Sequence, residues 1–443
     1  MTRYAMLAGK IVNLKFPSLV LFTAMVTSRG LEFILKSILS RMLGPEQFGI
    51  IQQYETYFEI FVVLSAFGIS TAILKFVSEK NSEEERKKTF TFLVKTNLAV
   101  SSVICLVIYI LVNSLPFIRE HQVIVFLNAT VMLLPIIALT HSSHGLFIHF
   151  LNGINKINYV AVIKVGFFLA QFLIILPAVY LFGAKVYAEA YFILCLASFL
   201  LCFPLVKKHW QRRAAGYLRS LKESENVRMY SFIGYSAISN LTSILLGYVD
   251  LLVVMSFFSN GTVGAYSVAS MIAKGLWMLP LSIMQVELPK ISKGHSDKNL
   301  DVYRYYKKLQ KKMIVVCWPV VFAVYMISGY IIRFIFGVDY LAILPVLKIL
   351  LLATLVYALT LVGGNIFIAT NYPKINLLLN LLRAFISVVL SVLLIPEFGI
   401  KGVAVSSVVT FVIFYFVQGM ICKGLFYEGQ YKERTKEKAR SVS

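Results

Sequence analysis

Nine charged side chains stand deep inside long apolar runs of this sequence, and their types and spacing define the chemistry available to it. Arg29, Glu32 and Lys36 follow one another at i, i+3 and i+7, which at 100° per residue places them on one stripe of a helix. Glu55 and Glu59 are spaced i, i+4, level with Lys36. Asp250, Lys274, Lys348 and Arg383 are spread over later apolar runs. A Lys or Arg at the centre of a membrane helix costs about 2.5–3.5 kcal/mol, so Arg29, Lys36, Lys274, Lys348 and Arg383 facing lipid together would cost roughly 12–18 kcal/mol. That rivals the stability of a whole fold. Each cation must therefore meet a carboxylate or water. Two readings stay open: interhelical ion pairs with Glu32, Glu55, Glu59 and Asp250, or a solvated cationic cavity lined by Arg29, Lys274 and Arg383, with Lys36 and Lys348 further out. Such a cavity would attract anions, and the guanidinium fork suits phosphate oxygens. The cargo it implies is anionic and phosphorylated, with Glu32 and Asp250 as sites for a coupling proton or sodium ion.

The elements that position these residues are membrane helices. Of 443 residues, 58% are hydrophobic and 14% charged, against roughly a quarter charged in an average soluble protein. About twelve apolar runs are long enough to cross a ~30 Å hydrocarbon core: 17–39, 48–74, 90–113, 122–149, 157–181, 185–206, 230–257, 263–287, 312–336, 341–369, 373–396 and 400–426. They are predicted as helices because lipid offers no partner to backbone polar groups, and the alternating strands of a barrel are absent. The excess of 43 Lys and Arg over 21 Asp and Glu reads as topology, not nucleic-acid binding. With the N-terminus inside, 31 basic residues fall on cytoplasmic segments and four outside, so both termini are expected in the cytoplasm.

Three weak matches near one offset suggest an internal repeat. Leu43-Gly44-Pro45-Glu46-Gln47-Phe48-Gly49 aligns with Phe258-Ser259-Asn260-Gly261-Thr262-Val263-Gly264 at 215. Lys156-Ile157-Asn158 aligns with Lys374-Ile375-Asn376 at 218, and Phe182-Gly183 with Phe398-Gly399 at 216. The expected fold is therefore an all-α integral membrane protein of about twelve spans, in two six-helix lobes related by a pseudo-two-fold along the membrane normal. Residues 1–206 form the N-terminal lobe, 207–229 a basic cytoplasmic linker, 230–426 the C-terminal lobe and 427–443 a cytoplasmic tail.

Other signals are weaker. His141, His144 and His149 share one side of a span, but no carboxylate or thiolate in that span completes a metal set, so packing or a proton-sensitive lining is expected and metal is not. Five scattered cysteines in apolar surroundings argue against disulfides and zinc. No removable signal peptide is read before Pro17. Phosphate-binding loops, dinucleotide turns and catalytic elbows do not occur at plausible positions, so no cofactor and no enzymatic activity are expected.

The segment Leu43 to Gly49, following a charged first span and leading to Phe67-Gly68-Ile69-Ser70-Thr71 and Phe76, resembles the signature of the polysaccharide-transport, or O-antigen flippase, family. That family belongs to the multidrug/oligosaccharidyl-lipid/polysaccharide exporter superfamily. The resemblance implies the fold shared with the multidrug exporters of that superfamily. It also implies passage of an undecaprenyl-pyrophosphate-linked oligosaccharide, such as a surface polysaccharide repeat unit, across a prokaryotic plasma membrane by alternating access. Membrane lipids, a proton or sodium counter-ion and other polysaccharide-assembly proteins are the implied partners. The alternative is a cation-coupled multidrug exporter of the same superfamily. A membrane glycosyltransferase would need longer outer loops than this chain has.

Overall fold

A computed structural model of the chain describes residues 17–80, 82–114, 134–210, 223–297 and 300–428. The beginning of the fourth expected span, most of the basic linker and nearly all of the tail lie outside them. The described residues are helical throughout and contain no strand. The first helix, α1 (Pro17–Ala66), covers two expected spans and changes direction at Gly44. This residue has φ 72° and is followed by Pro45, which cannot extend the preceding hydrogen-bond ladder. Phe67 and Gly68 then take positive φ, and α2 (Ile69–Glu79) continues at a bend of 44°. Here glycine is required: a Cβ on Gly68 would lie 2.6 Å from the Ile233 carbonyl oxygen and 2.5 Å from the Ala237 nitrogen.

After α2 come α3 (Glu83–Ser114), α4 (Leu134–Gly153), α5 (Ile157–Phe182), α6 (Tyr187–Trp210), α7 (Glu223–Phe257), α8 (Asn260–Gly275) and α9 (Met278–Ser296). The chain continues through α10 (Val302–Ile331), a π turn and a 3-10 turn, then α11 (Leu344–Ala369), α12 (Pro373–Phe398) and α13 (Ile400–Cys422). Eight helical segments among the described residues are long and apolar enough to cross a membrane, and they correspond one to one with the fifth to twelfth expected spans. One of them is broken. The run 263–287 divides at Leu276 and Trp277 into α8 and α9, with Pro280 in the first turn of α9, where a missing N–H costs nothing.

The chain forms two compact units, Met1–Leu43 with Ile50–Ile244, and Gly44–Gly49 with Leu245–Ser443. The division between them falls inside α7, between Ile244 and Leu245. The first half of that helix belongs to unit 1 because it packs on α2: Arg228 bridges Glu79 at 3.2 Å, and the Lys75 ammonium lies 4.1 Å from the Phe232 ring centre. Unit 1 is cored by Ile69, Ile73, Val77, Phe90, Leu93, Phe150 and Leu151. Unit 2 is cored by Met313, Val362, Ile366, Phe367 and Cys422. Large apolar side chains also point outward, Leu173 with 78% of its surface exposed, as expected where lipid is the solvent.

The repeat is visible inside the units. A shift of 216 residues carries the bounds of α5 onto those of α12, the positive-φ residue Asn155 onto Asn371, and Gly183 onto Gly399. The backbone thus aligns at 216 along these helices, where the short motif Lys156-Ile157-Asn158 alone had suggested 218.

Candidate functional site

In unit 1 the charged stripe forms as its spacing requires. Arg29 pairs with Glu32 at 2.7 Å, and Lys36 bridges Glu32 at 3.0 Å and Glu55 at 2.8 Å. Gln52 donates to Glu55 at 3.0 Å, and the Tyr187 hydroxyl of α6 donates to the same carboxylate. The result is a ladder of alternating charge running from α1 before the Gly44 bend to α1 after it. Its inner members are half-buried, whereas the Arg29 side chain is 66% exposed. Two cations and two carboxylates balance. Glu59, one turn beyond Glu55, makes no ion pair among the described residues.

His141 and His144 of α4 are packed among other side chains, and the His149 Nδ1 is buried without a hydrogen-bond partner. His141 Nδ1 lies 3.5 Å from Cys195 Sγ and His144 Nε2 lies 2.9 Å from Ser198 Oγ, among the rings of Phe58, Phe167 and Tyr191. No group of three potential metal ligands occurs among the described residues, and the four described cysteines are free and buried.

In unit 2 the break between α8 and α9 positions the site. Lys274, in the last turn of α8, donates to Asp250 Oδ1 at 2.9 Å and to the Gly247 carbonyl at 2.7 Å. The other oxygen of Asp250 accepts from Tyr266 at 3.1 Å. Asp250 is buried and fully occupied, which gives it a tethering role between α7 and α8. Asp250→Asn keeps an acceptor but removes the charge, and Lys274 is 26% exposed. The expected loss is about 1–2 kcal/mol, read as a lower Tm in detergent; an unchanged Tm would refute the tether.

Arg383, on α12, is the exception among the three mid-span cations. It has no carboxylate or hydrogen-bond partner among the described residues, and its Nε is buried and unsatisfied. Its guanidinium lies 5.4 Å from the Phe411 ring centre. Phe411 meets Tyr357 at 5.6 Å and Trp277 at 6.2 Å, and Trp277 stacks on Tyr357 at 3.9 Å. Lys274 approaches the same indole at 5.9 Å. Lys274 and Arg383 therefore flank one aromatic group, whereas Lys348 stands apart over Tyr325 at 5.3 Å. Trp277, Tyr357 and Phe411 were not legible as site residues from their types, since aromatics at helical spacing ordinarily pack cores; only the 216-residue shift relates Tyr357 and Phe411 to a second cluster.

These features define an all-α, multi-pass membrane transporter fold with basic groups inside its spans. Residues 17–295 match the family described as "Polysaccharide biosynthesis protein", and the chain belongs to that family. It is 21% identical over 405 residues to the probable low-salt glycan biosynthesis flippase Agl15 of Haloferax volcanii, covering 91% of this chain and 82% of that protein. The fold is similar to that of an inward-facing multidrug resistance MATE family transporter of the MOP superfamily, with a TM-score of 0.74, 12% identity and coverage of 95% of this chain and 96% of that one. It is also similar to that of the lipid II flippase MurJ in an inward closed conformation, with a TM-score of 0.70, 16% identity and coverage of 92% and 88%.

Proposed function

We propose that this protein is a flippase that moves a lipid-linked oligosaccharide, with an undecaprenyl-pyrophosphate anchor, across the plasma membrane of a prokaryote by alternating access, both termini being cytoplasmic. The observation that carries this reading is Arg383. A cation inside a spanning helix at a cost of ~2.5–3.5 kcal/mol, with no carboxylate or hydrogen-bond partner among the described residues, is accounted for by an anionic ligand that arrives from outside the chain. Arg29 and Lys274 are already paired with Glu32 and Asp250, so neither calls for an outside anion. An unaided glycolipid would have to dehydrate its charges and hydroxyls at several kcal/mol per unsatisfied group, and a polar path through the protein removes most of that barrier.

Reconstitution tests the proposal. Proteoliposomes loaded with a fluorescent lipid-linked oligosaccharide should expose the headgroup on the opposite face faster than protein-free vesicles, read as accessibility to an external glycosidase. Equal rates would overturn it. A second reading, cation-coupled export of amphipathic drugs, draws on Glu59, a carboxylate of unit 1 that makes no ion pair among the described residues. Drug efflux without glycolipid movement in the same vesicles would favour that reading.

A further inference from the structure

Resting on the flippase reading, the arrangement around Arg383 allows the headgroup subsite to be described more finely. The 216-residue shift that superposes the backbone signatures of the two units also carries His141 onto Tyr357, Phe167 onto Arg383 and Cys195 onto Phe411. In unit 1 these three positions meet and close on one another: His141 lies 5.8 Å from Phe167 by ring centres and its Nδ1 is 3.5 Å from Cys195 Sγ. His144 stacks on Phe167 at 5.4 Å. The cluster is made of neutral groups and rings in contact with one another.

In unit 2 the same three positions come together, with Arg383 and Tyr357 each within 5.4–5.6 Å of Phe411. The chemistry differs. A guanidinium occupies the place of a phenyl ring and finds no acid among the described residues. The Arg383 Nε is buried without a hydrogen-bond partner, so α12 presents an unsatisfied polar atom at this cluster. The helix break adds Trp277, half-buried, with one face on Tyr357 and its Nε1 tied to Thr354 Oγ1 at 3.3 Å. That hydrogen bond fixes the plane of the indole. Fixed aromatic planes beside a few unsatisfied polar groups are the composition of a small-molecule site. A guanidinium held over a ring keeps its N–H edge available for planar recognition of an oxyanion.

We propose that Arg383, Trp277, Tyr357 and Phe411 form a glycosyl-phosphate subsite within unit 2. The guanidinium takes the phosphoryl oxygens and the aromatic group takes the apolar C–H face of the sugar joined to that phosphate. The subsite reads the junction of sugar and phosphate, the part of a lipid-linked oligosaccharide that does not change with the outer sugars. Lys274, 5.9 Å from the Trp277 ring, is held by Asp250 at 2.9 Å and does not compete for the ligand.

The test uses the full chain in detergent, with Trp210→Phe and Trp318→Phe leaving Trp277 as the sole indole. Titration with glucose 1-phosphate should change its fluorescence saturably, with an affinity at least tenfold higher than for inorganic phosphate or methyl glucoside. Arg383→Gln should abolish saturation, and Arg383→Lys, which keeps the charge but loses the planar fork, should weaken it at least tenfold while thermal unfolding reports an intact fold. Tyr357→Leu should lower affinity for glucose 1-phosphate and leave the weak phosphate response unchanged. Equal binding of phosphate or of methyl glucoside alone overturns the subsite, as does full retention of affinity in Arg383→Lys. Glucose 1-phosphate binding in a protein that moves no lipid-linked oligosaccharide in vesicles would support the subsite while overturning the flippase reading; movement without binding would do the reverse.

Discussion

Replacing Arg383 with methionine is expected to reduce lipid-linked oligosaccharide movement by about 100-fold or more and at the same time to make the protein more stable. Both effects have one cause. A hydrogen bond involving a charged group contributes about 1.5–3 kcal/mol, so losing two guanidinium bonds to phosphoryl oxygens removes about 3–6 kcal/mol, which at 1.4 kcal/mol per tenfold is roughly 10²–10⁴ in binding. In the ligand-free protein the balance reverses. Arg383 has a buried, unsatisfied Nε and no carboxylate partner among the described residues, and methionine retains much of the packing against Phe411 without a charge to desolvate. We expect a gain of about 1–2 kcal/mol, since even paired buried charges can be exchanged for apolar residues without loss. Functional groups held at such a cost are where stability and activity trade against each other. Headgroup accessibility in vesicles and thermal unfolding in detergent read the two quantities separately. A variant that keeps transport within twofold, or that unfolds at a lower temperature, would show Arg383 to be a structural residue.

Much of the architecture is legible in the sequence because lipid imposes a simple rule. Spans five to twelve emerge from apolar length alone, since a helix is the only open segment that satisfies its own backbone in hydrocarbon. What apolar length cannot reveal is a break within an apolar run. The division at Leu276 and Trp277 leaves hydropathy unchanged, and Pro280, which marks it, reads equally well as a kink. The site was legible in part for a related reason. Spacing placed Arg29, Glu32 and Lys36 on one face, and they are joined there. It gave Arg29, Lys274 and Arg383 the same standing, because a sequence shows where charges lie along helices and not which acid each one reaches. Coordinates separate them: Arg29 and Lys274 have carboxylates at 2.7 and 2.9 Å, and Arg383 has none among the described residues.

Gly49 of the Leu43 to Gly49 segment and its counterpart Gly264 should tolerate no side chain. Pro45 to Gly49 packs in unit 2 against the first turn of α8, and the two glycines that the repeat aligns, Gly49 and Gly264, face each other's backbones. A Cβ on Gly49 would fall inside the van der Waals shell of the Asn260 carbonyl oxygen, and one on Gly264 inside that of the Pro45 carbonyl oxygen and 2.9 Å from the Gly49 nitrogen. Small residues allow such close approach where the solvent is lipid and packing must supply the attraction between helices. The approach also brings Glu46 beside the first turn of α8, its Oε2 only 2.8 Å from where a Gly261 Cβ would stand. There the carboxylate opposes the positive end of the helix dipole, while the Ser259 side chain makes no capping hydrogen bond. Gly49→Ala and Gly264→Ala must each displace backbone, because neither glycine meets a flexible side-chain end that could swing away. Each is expected to destabilise by about 3 kcal/mol, the upper part of the range for overpacking. The double variant should lose less than the sum, since both methyl groups force apart the same two turns. Gly30→Ala, where a methyl group would meet nothing within 4 Å, should leave the Tm unchanged or slightly raised. Thermal unfolding of the purified variants checks the ordering, and a Gly264→Ala protein as stable as Gly30→Ala would mean that this crossing opens freely and does not hold α8 in place.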